Sequence, residues 1–81
     1  LKEEELASSP ADIANLLTHE NCSATIAGNT RAKADADLAI AINALSELGI
    51  SLVSTFEDPK RHLSRVELSN GNFILVRWMQ D

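Results

Sequence analysis

Eighty-one residues with a 44% hydrophobic content describe one small domain and leave no room for two. Seven Lys and Arg against twelve Asp and Glu give a formal charge of −5, which disfavours a general nucleic-acid coat, since such binding rests on cations neutralising phosphates. One cysteine excludes an internal disulfide framework, and neither a membrane-length apolar run nor a signal-peptide pattern is present, so the expectation is a cytoplasmic protein with no membrane partner.

Residues 1 to 8 read as a frayed lead-in and residues 9 to 81 as a single small α+β domain. Ser9-Pro10-Ala11-Asp12 is a helix start, with a hydroxyl cap, proline at the first helical position and a carboxylate in the first turn. Ile13, Leu16 and Leu17 then form one apolar face of a short helix that should end near His19 to Asn21. Cys22 to Ala27 has β-compatible residues but little bulk, and is either a short strand or a loop. Gly28-Asn29-Thr30 punctuates it. A second helix follows to about Leu48, with Leu38, Ala41, Ile42, Leu45 and Leu48 at helical spacing and Gly49 where a C-terminal cap belongs.

Three strands come next, Ile50 to Phe56, Leu63 to Ser69 and Asn72 to Met79, the first two joined by a polar, proline-bearing loop. Two helices followed by a three-stranded antiparallel meander make an α+β fold. If Cys22 to Ala27 is a strand, the order becomes α-β-α-β-β-β, and that strand forms a parallel, right-handed unit with the long helix and Ile50 to Phe56.

All three aromatics (Phe56, Phe73, Trp78) lie in the last third of the chain, and the final hairpin is its most informative stretch. Asn70-Gly71 suits a two-residue turn whose central residues both take positive φ. That register pairs Leu68 with Phe73, Val66 with Leu75 and Ser64 with Arg77 on one side of the sheet. Glu67 with Ile74, Arg65 with Val76 and Leu63 with Trp78 share the other. A bulge would reverse this parity. Val66, Leu68, Phe73 and Leu75 are then the core face, and the row Ile74, Val76, Trp78, beside Arg65, is either a partner-binding surface or a row covered by the lead-in residues or the first helix. Its burial against a partner would contribute on the order of 5 kcal/mol.

The remaining chemistry is sparse. His19-x-x-Cys22 has metal-ligand spacing and His62 could add a third ligand, but structural zinc wants four, mostly thiolates and imidazoles, so no metal site is assigned. No orienting residue accompanies Cys22 and the histidines, so no catalytic residue and no cofactor is assigned either. Thr30, Arg31 and Lys33 at the start of the long helix form a candidate anion site, although Asp35 and Asp37 follow at once. Lys60, Arg61 and His62 gather at the tip of the first hairpin, where they could touch nucleic acid or an acidic partner.

Ser9 to Leu17 resembles the first helix of a helix-turn-helix, and Leu38 to Ile50 resembles the end of a winged-helix recognition helix, with the strands around Pro59-Lys60-Arg61 as the wing. The resemblance implies nucleic-acid binding through the basic hairpin tip. Thr18 to Asn29 is long for the joint of that motif, and Asp37 to Leu48 has no Arg, Lys or Gln to reach base edges. The leading expectation is therefore a non-catalytic protein-interaction or regulatory module. It would self-associate as a homodimer or dock on a larger protein through the C-terminal sheet, with winged-helix-like nucleic-acid binding as the alternative.

Overall fold

Thr30 ends one element and caps the next. Its extended backbone closes strand β1 (Ser23–Thr30), and its hydroxyl accepts the Lys33 amide at 3.2 Å to start helix α2 (Arg31–Glu47). The computed structural model describes residues 10–19 and 22–80. The expectations for residues 1 to 8 and for a cap at Ser9 lie outside the described residues. Helix α1 (Pro10–Leu16) precedes β1, and strands β2 (Leu52–Asp58), β3 (Leu63–Leu68) and β4 (Phe73–Gln80) follow α2. At the end of α2 the Gly49 amide donates to the Ser46 carbonyl (3.0 Å) and the Ile50 amide to the Leu45 carbonyl (2.9 Å), the paired bonds of a Schellman cap.

The class is α+β, with one mixed sheet of four strands in the order β1-β4-β3-β2. β2, β3 and β4 form the antiparallel meander expected, and the Cys22 to Ala27 region is a strand. β1 pairs parallel with β4, so the expected parallel unit of β1, α2 and β2 forms with β4 and β3 between its two strands. β1 and β2 therefore run the same way at opposite edges, and α2 crosses the sheet between them. α1 and α2 are separated by an eight-residue strand, so the helix-turn-helix geometry is absent and the winged-helix resemblance does not extend to the fold.

Both helices lie on one face of the sheet. Ile13, Ala14 and Leu17 of the α1 segment and Ala34, Ala41 and Leu45 of α2 are buried against Ala24, Ile26, Val66, Leu68, Ile74, Val76 and Trp78. Alanines at 34 and 41 let α2 come close to the strands. The approach is close at Gly28, where an added Cβ would stand 2.9 Å from the Ala34 backbone nitrogen. That atom cannot retreat without lifting the helix, so Gly28→Ala should destabilise the fold by about 1–3 kcal/mol in urea unfolding, with an unchanged denaturant slope.

The hairpin register corrects the expectation for the partner surface. The Leu68 amide donates to the Asn72 carbonyl (2.9 Å) and the Gly71 amide to the Leu68 carbonyl (3.0 Å), and Gly71 has φ +90°. This is a three-residue loop, Ser69-Asn70-Gly71, in which glycine alone takes the left-handed conformation and forms a bulge. The odd loop moves the pairing by one residue, to Glu67 opposite Phe73, Val66 opposite Ile74 and Ser64 opposite Val76. Every side chain of β4 is thereby inverted. Ile74, Val76 and Trp78 face the helices and are buried, the last only 4% exposed, while Phe73 and Leu75 turn outward. The row read as a partner surface is core.

Candidate interaction surface

The face left bare by the helices is built from the alternate residues of all four strands. One row across it is Thr25, Leu75, Arg65 and Phe56, on β1, β4, β3 and β2. A second is Ser23, Phe73, Glu67 and Ser54, and a third is Ala27, Arg77, Leu63 and Asp58. Met79 continues the outward positions of β4 beyond the third row, and it and Phe56 are the most open large apolar side chains, at 75% and 69%. Arg65 sits at the centre with its guanidinium 4.2 Å above the Phe73 ring and 3.4 Å from the Glu67 carboxylate. Ser54 Oγ donates to Glu67 Oε1 (3.3 Å), completing a polar string between β2 and β3.

Of the residues singled out from sequence, Arg65 alone among the proposed partner contacts lies on this open face. Lys60 and Arg61 form a 3-10 turn (Pro59–Arg61) joining β2 to β3, closed by His62 in a left-handed conformation (φ 53°). Arg61 is paired with Asp58 at 2.9 Å, whereas Lys60 and Arg77 make no ion pair among the described residues. Arg61, His62, Arg77, Thr25, Ala27 and Met79 border a cleft of about 400 Å³.

The start of α2 holds its cations internally. Lys33 pairs with Asp37 (3.0 Å), and Arg31 pairs with Glu57 (3.0 Å) and Asp35 (3.6 Å). Arg31 also lies 5.0 Å over the Trp78 ring, which stacks with His62 at 5.9 Å and 15°. With Thr30 engaged as the helix cap, the segment proposed for an anion is committed to joining α2 to the sheet. His19, Cys22 and His62 belong to no group of three or more His, Cys, Asp or Glu placed to hold a metal among the described residues. Likewise, no described helix is long and apolar enough to cross a membrane.

Sequence reasoning missed Phe56, Phe73, Leu75 and Met79 as surface. Arg77 carried the missing signal. It occupies an odd position in β4, and a guanidinium beside the core of so small a sheet would be unpaired and costly. Putting Arg77 outward places Phe73, Leu75 and Met79 outward with it.

These features define a small α+β domain in which the described residues cover one sheet face and leave the other open. No protein-family model, no curated protein and no solved structure matches the chain.

Proposed function

We propose that the chain is a non-catalytic protein-interaction module that docks through its C-terminal sheet, using the open face centred on Arg65. The observation that carries this reading is the composition of that face: Phe56, Phe73, Leu63, Leu75 and Met79 around two arginines, with Phe56 and Met79 largely exposed. Aromatic residues, Met and Arg are the side chains enriched in protein interfaces, and Arg65 laid on Phe73 is an anchor already ordered before binding. The cleft beside Arg77 offers a recess for one protruding partner side chain.

Leu75→Glu and Phe56→Glu should leave the fold intact, as judged by circular dichroism. Both should abolish capture of the proteins that immobilised wild type retains from an extract of the source cells, even at high salt. Identical captured sets for wild type and variants would sink the reading. The alternative, nucleic-acid contact through Lys60, Arg61 and His62, draws support from the convergence of Arg61, His62 and Arg77 on one cleft. It predicts binding to a single-stranded oligonucleotide that weakens steeply with salt and is reduced by Lys60→Ala. The carboxylates already on Arg61 and Arg65 favour the protein reading.

A further inference from the structure

We propose that β2 is the seam of a two-fold homodimer, in which the free edge of β2 pairs antiparallel with β2 of a second copy. This rests on the reading of the sheet as the contact region and names both the strand and the partner. Among the described residues β2 is an edge strand, paired with β3 on one side and with no strand on the other, and such an edge offers its N–H and C=O groups for pairing. Its side chains are largely exposed on both faces, with Glu57 reaching the start of α2 through its ion pair to Arg31. On the helix side, α2 packs over β1 and β4, and Leu52, Thr55 and Glu57 at the β2 margin remain exposed. On the open side Phe56 is exposed, and Val53, at the register shift between Leu52 and Ser54, is 62% exposed.

Proteins blunt such edges with charges, proline or bulges. β2 carries its charges, Glu57 and Asp58, at its end, and the run Ile50-Ser-Leu-Val-Ser-Thr-Phe56 before them has neither charge nor proline. The register shift lies at its start, and Ser54 to Asp58 continues in regular pairing. The opposite edge differs: β1 buries Ala24 and Ile26 and shows only small or polar side chains outward.

A second copy is the occupant because the strand is complementary to itself under a two-fold axis. With the axis at Ser54, Leu52 to Phe56 of one copy face Phe56 to Leu52 of the other, and all of these residues are uncharged. Glu57 and Asp58 of each copy then lie beside Ser51 and Ile50 of the other, so no carboxylate faces its own counterpart. Edge pairing of this kind keeps both helix layers on one side. The two open faces join into one eight-stranded platform with both Phe56 rings next to the seam.

The test is sedimentation of the wild type from micromolar to millimolar concentration, with Val53→Lys and Phe56→Lys, alone and combined. Wild type should approach twice the monomer mass, and the double variant should stay monomeric with an unchanged circular dichroism spectrum. Backbone hydrogen exchange on wild type needs no substitution: protection of Ser54 to Asp58 should rise with concentration while other strands stay unchanged. A wild type that is monomeric throughout, or β2 protection independent of concentration, overturns the dimer. Loss of a foreign partner on Leu75→Glu would still leave the open-face reading standing. A dimer that survives both lysines but is lost on Leu75→Glu also overturns the β2 seam and moves self-association to the open face.

Discussion

Trp78→Glu is expected to yield a chain that does not fold, rather than a folded monomer released from a partner. Trp78 is 4% exposed, with Arg31 and His62 against its ring, and belongs to the hydrophobic core. Removing a buried aromatic costs about 3–5 kcal/mol, and an unpaired carboxylate in its place adds several more. A domain of this size has roughly 4–12 kcal/mol in total. The sum consumes most or all of that, so far-ultraviolet circular dichroism at neutral pH should show loss of structure. Trp78→Phe is the control. The indole Nε1–H is buried and has no hydrogen-bond partner among the described residues, so its removal leaves no acceptor unsatisfied. Trp78→Phe should stay folded and lose less than about 2 kcal/mol. A folded Trp78→Glu would return Ile74, Val76 and Trp78 to the surface and reverse the register described above.

That register is where sequence and structure part, for a definable reason. Asn-Gly is compatible with two common hairpins. In the two-residue turn both residues take positive φ; in the three-residue loop glycine alone does. Here Asn70 uses its side chain instead, accepting the Asn72 amide on Oδ1 (3.1 Å) and donating from Nδ2 to the Leu17 carbonyl (2.8 Å). The choice depends on a carbonyl 53 residues away, which local pattern does not contain. By contrast, the helical spacing of Leu38, Ala41, Ile42 and Leu45 and the cap at Gly49 are local properties and lie where periodicity puts them, whereas Leu48, the last position of the expected face, falls past the helix end and is 50% exposed. The neighbour of β1 was illegible for the same reason as the turn. Its Ser-Ala-Thr-Ile-Ala run carries too little bulk to choose between β2 and β4, and the parallel pairing with β4 joins residues some fifty positions apart, beyond the reach of local pattern.

The second large effect is expected at Asn72, which no motif marks and which is 3% exposed. Its Nδ2 donates to the Leu17 carbonyl (2.8 Å) and the His19 carbonyl (2.7 Å), and its Oδ1 accepts the Cys22 amide (3.0 Å). One side chain thus joins the end of the α1 segment and the approach to β1 to the final hairpin. Leu17 keeps a second donor in Asn70, so Asn72→Ala removes the donor to the His19 carbonyl and the acceptor of the Cys22 amide. At about 1–3 kcal/mol for each of these two lost contacts, the loss should be roughly 2–6 kcal/mol, with a fall in melting temperature of at least about 10 °C. Asn72→Asp should be worse at neutral pH, since a carboxylate would face two carbonyl oxygens. Asn70→Ala should cost less, because Asn72 still holds Leu17. A loss below about 1 kcal/mol for Asn72→Ala would mean that water satisfies the freed groups as well as the amide does. Because Asn72 touches neither the open face nor β2, its alanine variant should lower stability while β2 self-association is retained at temperatures where the chain remains folded. Val53→Lys and Phe56→Lys should do the reverse, and the pair of results separates what holds the fold from what the fold presents.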